Sequence, residues 1–180
     1  MKVTSSVKIP QANIEDIRAA AVGLAVGEFV RLHPLPALAI SLPGGSGSSI
    51  ETKDADFRPT LDGETDRFSG ALGTSARNYV VWLEKSGRNL FNNIISLGRA
   101  PLNDVWLPFN TVSKIHAVFV KVGDEWQLID RGSRNGVYVN SQRVETSGKV
   151  ALQCGDVLHF GRQLQGTFHT PEGLHDFLQK

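Results

Sequence analysis

Three short polar segments carry residue types that could do chemistry: Gly98-Arg99, Ser113-Lys114-Ile115-His116 and Asp130-Arg131-Gly132-Ser133-Arg134-Asn135-Gly136. Each lies at the end of a β-branched or aromatic run rather than along its face, where a rigid sheet can hold binding groups on its loops. Arg99, Ser113, Lys114, Arg134 and Asn135 offer fixed cations, a hydroxyl donor and an amide. None of them forms an evident acid–base pair. The set suits the holding of an oxyanion such as phosphate through charge-assisted hydrogen bonds, without reaction.

Catalytic patterns are missing from the chain. There is no G-x-x-x-x-G-K-[ST], no H-E-x-x-H and no G-x-S-x-G, and the Gly/Ser run at 44–49 lacks a lysine. The five histidines (His33, His116, His159, His169, His175) include no pair at i, i+4 on a helix, so no metal site is expected. Ser113, His116 and Asp130 are the residue types of a hydrolase triad, but spacing alone carries no geometry. The single cysteine, Cys154, beside a turn glycine, has no internal disulfide partner and reads as an ordinary small residue. No enzyme activity and no cofactor are expected.

The elements that must position the polar segments read as all-β from about Asn78. Tyr79–Leu83 and Asn93–Leu97 are β-branched and aromatic runs. Ala117–Val122 and Trp126–Asp130 flank Gly123-Asp124-Glu125, which reads as a three-residue hairpin loop. In these strands Val118, Val120 and Val122 share one face, as do Trp126 and Leu128. Asn135-Gly136 is a turn signal before Val137-Tyr138-Val139, and Cys154-Gly155-Asp156 precedes Val157–Phe160. Many short strands with turns every eight to twelve residues indicate a sandwich or barrel. Trp82, Trp106 and Trp126 read as packing residues. A short helix is expected around Pro171–Leu178.

The N-terminal half differs. Asn13 is a plausible N-cap ahead of Glu15 and Asp16, and one helix is expected over Ile14–Leu32, ended by His33-Pro34-Leu35-Pro36. Gly23 and Gly27 form a small-xxx-small pair on it, and Ala37–Leu42 reads as a short strand. Gly44–Ser49 has the composition of a flexible linker. Glu51, Asp54, Asp56, Asp62, Glu64 and Asp66 follow as an acidic, aromatic-poor run. The expected organisation is therefore 1–42 as a helix-plus-strand appendage, 43–75 as a tether and 76–180 as the β-domain with its C-terminal helix.

Over residues 78 to 168 the ordered blocks Gly98-Arg99, Asn103-Asp104-Val105-x-Leu107-Pro108, Val112-Ser113-Lys114-x-His116-Ala117, Trp126-x-Leu128-x-Asp130, Ser133-Arg134-Asn135-Gly136-Val137-x-Val139-Asn140 and Leu152-x-x-Gly155-Asp156-x-Leu158-x-Phe160-Gly161 resemble the forkhead-associated (FHA) domain. The resemblance implies a two-sheet antiparallel β-sandwich of about eleven strands that recognises phosphothreonine in extended peptides. It implies that Arg99 and Ser113 bind the phosphate, with Lys114 and Arg134 as further cations, and that Asn135 holds the peptide main chain. Gly98, His116, Gly136 and Asn140 would support the site, His116 bracing it from inside and Gly136 supplying a positive φ. One position departs from the pattern: Val137 stands where the family usually has threonine.

Composition bounds the partners. Hydrophobic residues make up 41% and charged residues 21%, as in an ordinary globular chain. Lys+Arg 19 against Asp+Glu 18 gives a net charge of +1, which argues against a general nucleic-acid or polybasic membrane binder. The apolar stretch Ala19–Val26 is far shorter than the roughly 20 residues a membrane span requires, and no secretory leader is evident, so a cytoplasmic protein is expected. The expected partners are phosphothreonine proteins, among them a Ser/Thr protein kinase or its substrates. Thr52, Thr60 or Thr65 of the tether, once phosphorylated, would be an intramolecular ligand. The rival reading is a phospho-independent structural assembly or dimerisation module, in which the sandwich binds unphosphorylated protein surface or itself and the Gly23/Gly27 helix is the natural dimer element.

Overall fold

The computed structural model describes residues 11–42, 77–91, 93–161 and 164–180. Residues 43–76, with the Gly/Ser run, the acidic run, Thr52, Thr60 and Thr65, lie outside the described residues.

In chain order the elements are β1 (Gln11–Asn13), α1 (Ile14–Ala21), α2 (Val26–Leu32), β2 (Ala37–Leu42), β3 (Arg77–Trp82), β4 (Ile94–Gly98), β5 (Val105–Trp106), β6 (Ala117–Val122), β7 (Glu125–Asp130), β8 (Val137–Val139), β9 (Gln142–Arg143), β10 (Lys149–Leu152), β11 (Val157–Phe160), β12 (Leu164–His169) and α3 (Pro171–Leu178). The strands form two sheets, one of seven in the order β1-β3-β2-β12-β11-β8-β9 and one of five in the order β10-β7-β6-β4-β5. Only β4 and β5 pair in parallel among the described strands. The fold is an all-β sandwich with a few short helices.

Alternation builds the core between the sheets. Leu38 and Ile40 of β2, Val81 of β3, Leu158 and Phe160 of β11, and Leu164 and Phe168 of β12 point inward from one sheet. Ile95 and Leu97 of β4, Ala117 and Phe119 of β6, and Leu128 of β7 meet them from the other. In β6 the core register is thus Ala117 and Phe119, whereas Val122 on the other face is exposed. The larger buried area of the phenyl ring decides the face. The β6–β7 loop is also one residue shorter than the sequence suggests, since Val122 pairs with Glu125 and Gly123 takes φ 60°.

Of the expected appendage 1–42, the described residues 11–42 are built into the sandwich. β2 lies inside the large sheet, hydrogen-bonded to β3 on one side and β12 on the other, and β1 adds to the far edge of β3. The physical reason is that β2 and β3 are apolar on both faces. Their outer residues Ala37 and Val80 form a second core with Ile14, Ala21, Phe29, Leu174 and Leu178 from the three helices. Asn13 accepts the Glu15 N–H to start α1, and Thr170 accepts the Gly173 N–H to start α3, with Pro171 in its first turn.

The single helix expected over Ile14–Leu32 is two. Gly23 adopts φ 83°, outside the right-handed helical region, and Val22 before it is extended. Gly23 and Gly27 therefore do not share a helix, which removes the basis for a glycine dimer stripe. No helix of the described residues is long and apolar enough to cross a membrane.

Because β2 is interior, Leu38→Ala should destabilise the whole sandwich by about 2–5 kcal/mol, in one cooperative transition. Urea unfolding followed by tryptophan fluorescence and by far-UV circular dichroism checks this. Two separate transitions, with the β-domain midpoint unchanged, would mean that the N-terminal segment is detachable after all.

Candidate anion-binding site

Strand registers bring the three polar segments to one end of the sandwich. β4 stops at Gly98 and β6 starts at Ala117, which pairs with both Leu97 and Asp130, the last residue of β7. From the other sheet, β8 starts at Val137 opposite Phe160, the last residue of β11. Gly98 is required by close approach: a Cβ there would collide with the Lys114 carbonyl and lie 2.9 Å from Asn103 Nδ2.

Main-chain bonds then lock the first two segments together. Arg99 N–H donates to Ser113 O at 2.9 Å, and Ala100 N–H to Lys114 O at 3.1 Å. Asn103 Nδ2 bridges the same two loops, donating to Ala100 O at 2.8 Å and Lys114 O at 2.7 Å. The half-buried Arg99 side chain lies along the Ser113 segment, its Nε donating to Val112 O at 3.2 Å. Trp106 Nε1 donates to Arg99 O at 3.0 Å.

The third segment joins through Ser113, whose Oγ accepts the Arg134 N–H at 3.0 Å. An oxygen occupied as acceptor still keeps its own proton, so the hydroxyl can donate to an incoming anion. Asn135 Nδ2 donates to Thr111 O at 2.8 Å, which fixes the amide orientation. Its Oδ1, without a partner among the described residues, faces no competitor for a ligand N–H. Lys114 and Arg134 are exposed. Among the described residues no carboxylate lies within 4.0 Å of the charged groups of Arg99, Lys114 or Arg134. The result is a cluster of uncompensated cations beside one oriented hydroxyl.

His116 sits beneath the cluster with no exposed surface. Its Nδ1 accepts the Ser113 backbone N–H at 2.9 Å, so the ring proton is on Nε2, which donates to Gly136 O at 3.2 Å. Gly136, at φ 81°, also accepts the Gly161 N–H at 3.0 Å. Desolvation pushes the His116 pKa below 6.5, outweighing the Gly136 bond and the field of Asp130. This geometry excludes the triad: Nδ1 is used by the main chain, neither ring nitrogen meets the Ser113 hydroxyl, and Asp130 Oδ1 accepts the Ser133 N–H instead.

Asn140 does not belong to this end. At φ 49° it follows β8, donating from Nδ2 to Asp156 and accepting the Val157 N–H on Oδ1, so it braces the opposite tip. Val137 is fully buried in the main core, so its isopropyl group fills space that a hydroxyl would leave partly polar.

Sequence reasoning missed the supports. Asp104, 1% exposed, accepts on Oδ1 from Ser86 N–H and Oγ, and on Oδ2 from Lys85 Nζ at 2.8 Å, Asn89 Nδ2 at 3.0 Å and Ser96 N–H at 2.9 Å. Burial opposes its ionisation, but these bonds from Lys85, Asn89, Ser96 and Ser86 prevail and hold the carboxyl well below the usual range. The loop 83–91 is thereby pinned to the segment after Arg99. Asn103, Asp104, Trp106 and Thr111 all hold the site, and only the adjacent Asn103-Asp104 pair was visible as a pattern. Among the described residues no group of three or more His, Cys, Asp or Glu could hold a metal ion.

The chain is similar to several known proteins. The FHA domain model matches residues 95–161. The glycogen accumulation regulator GarA of Mycolicibacterium smegmatis is 42% identical over 119 residues, 60% of this chain and 73% of that protein. The oxoglutarate dehydrogenase inhibitor of Corynebacterium diphtheriae is 37% identical over 131 residues, 66% of this chain and 89% of that protein. A solved structure, Mycobacterium tuberculosis EmbR in complex with a low-affinity phosphopeptide, is 32% identical with a TM-score of 0.40, covering 43% of this chain and 20% of that one.

The His116 geometry sets a pH dependence. Its folded pKa lies below 6.5, so on acidification the unfolded chain takes up a proton that the folded ring refuses. The stability it confers is whole above about pH 6.5 and falls as pH drops from there through the folded pKa. Nitrogen-detected NMR should show the Nε2–H tautomer of His116, titrating below 6.5. A midpoint at or above that value, or the other tautomer, contradicts the bridge.

Proposed function

The chain belongs to the forkhead-associated (FHA) domain family, and on that premise we propose that it is a non-catalytic adaptor that docks proteins through phosphothreonine. The observation that carries the reading is the Ser113 junction. Its carbonyl and hydroxyl are bonded to the main chains of Arg99 and Arg134, so that one hydroxyl and two guanidinium-bearing residues from three segments share one loop end.

A phosphothreonine brings a charge of about −1.5 to −2 and three strong acceptor oxygens. Arg99 and Ser113 donate to those oxygens, with Lys114 and Arg134 adding positive potential. Asn135 Oδ1 accepts a main-chain N–H of the peptide and sets its register. Bonds to charged groups contribute roughly 1.5–3 kcal/mol each, and ordering an extended peptide offsets part of that, so binding is moderate and reversible. The names of the regulator and inhibitor relatives support a role in controlling another protein, and a Ser/Thr protein kinase or its substrate is the proposed partner.

A second ligand source is favoured by topology. Leu42 pairs with Arg77, and Ser41 with Gln165, at the end of the sandwich where Phe160 and Val137 lead into the site. The chain between 42 and 77 therefore leaves and re-enters on the binding end, about 14 Å from β8 at three strand spacings. A phosphorylated Thr52, Thr60 or Thr65 is within reach at high effective concentration.

Arg99→Ala and Ser113→Ala should each weaken phosphothreonine-peptide binding by about 10- to 100-fold in calorimetry. The unphosphorylated peptide should not bind. Phosphoserine should bind roughly fourfold less tightly, for the loss of one methyl contact. Both variants binding as the parent does would defeat the reading. For the intramolecular ligand, a tether-phosphorylated chain that binds external peptide as well as the unmodified chain does rules it out.

A further inference from the structure

We propose that an apolar shelf beside the phosphate clamp, formed by Leu90, Phe91, Leu102 and Ile115, receives an aliphatic or aromatic side chain of the phosphothreonine ligand itself. The inference rests on the proposed phosphothreonine reading and adds a specificity surface to it.

Leu90 is 96% exposed, Leu102 69%, Phe91 57% and Ile115 52%. Scattered exposed apolar side chains are ordinary, but hydrogen bonds bring the backbones that carry these four to one loop end. Asn89 Nδ2 donates to Leu102 O at 3.3 Å and its Oδ1 accepts the Phe91 N–H at 3.1 Å, so the Leu90–Phe91 turn abuts Leu102. Arg88 adds a bond to Pro101 O at 3.2 Å. Ile115 joins from the third side, because the preceding carbonyl, Lys114 O, accepts from Ala100 N–H and Asn103 Nδ2.

The shelf is held, not loose. Asn89 donates to Asp104 and to Ser96 Oγ, and Lys85 donates to both Asn89 and Asp104, so a buried carboxylate fixes the backbone that carries two exposed apolar residues. A mobile loop would lose more entropy on docking than so small a contact returns; a pinned one does not.

Charge and continuity identify the occupant. Arg88 precedes the Leu90–Phe91 turn, and Arg99 and Lys114 flank Leu102 and Ile115 in their loops, with no carboxylate within 4.0 Å of these cations among the described residues. Residues 99 and 102 lie in one loop, and 114 and 115 are adjacent, so a peptide whose dianion sits on Arg99 and Lys114 continues over Leu102 and Ile115. An apolar side chain a few residues from the phosphothreonine covers the shelf.

The test uses the full chain and a degenerate phosphothreonine peptide library, followed by two peptides differing only as Leu or Ser at the selected position. The parent should favour Leu, Ile, Met or Phe over Ser by roughly tenfold at one position. L90S/F91S/L102S, and Leu102→Ser alone in part, should reduce that preference towards unity while keeping Ser-peptide affinity within about twofold. A parent without the preference, or a triple variant that retains it, overturns the shelf and leaves the phosphate clamp standing. A concentration-dependent dimer of the parent that the triple variant abolishes in sedimentation also overturns it, since a second copy would then be the occupant. If Arg99→Ala binds every peptide as tightly as the parent does, the phosphothreonine reading fails and the shelf falls with it.

Discussion

One neutral imidazole holds the two sheets in register at the end where the cations gather. His116 spends both ring nitrogens, taking the Ser113 N–H from the loop that enters β6 and giving its own proton to Gly136 at the entry to β8. Those bonds lie where no water competes, so each is worth more than an exposed one, and losing either would leave a buried polar group unpaired. The ring therefore fixes the separation of Ser113 and Asn135, whose loops lead into strands of different sheets. Phe160 packs edge-on to it at 6.1 Å and blocks alternative ring positions. Positional tolerance at a binding site is a fraction of an ångström, and loops alone do not supply it.

Charge is distributed to the same purpose. The buried carboxylate that follows Arg99 in its loop, Asp104, is saturated internally by amides, hydroxyls and Lys85, so its negative charge never meets Arg99. The cations at the tip stay uncompensated, which costs little while they are partly hydrated and becomes attraction when a dianion arrives. A protein that neutralised Arg99 with a nearby aspartate would gain a modest surface ion pair and give up the positive potential at this tip.

What could be read from the sequence follows the range of each interaction. Strand positions, the short last helix and the polar segments at strand ends were legible because they depend on local alternation and turn residues, as with Ala37–Leu42 and Pro171–Leu178. Gly23 was misread because a glycine inside an apolar helical pattern looks the same whether it continues the helix or ends it; tertiary packing of Phe29 against α3 decides. Asn140 was assigned to the site by the family resemblance, yet the intervening strand β8 carries it to the other tip. The Asp104 network escaped entirely. Its six donors come from Lys85, Ser86, Asn89 and Ser96, and nothing in their spacing announces one shared carboxylate.

The same limit explains the N-terminal segment, whose place has a consequence for how the chain folds. Pairing of β2 with β3 and β12 joins residues 37–42 to 77–82 and 164–169, contacts of long sequence separation that form only after loop-closure entropy has been met. β12 is synthesised long after β2 and β3, so until it arrives β2 and β3 expose apolar edges and both of their faces. The helices then matter beyond their small area: α1 and α2 cover Ala37 and Val80 on the outer face, and α3, immediately after β12, closes the same cluster. With that face covered, the seven-stranded sheet is fixed from β3 through to β8. The position of Asn135 at one side of the sheet thus depends on a strand laid down far earlier in the sequence.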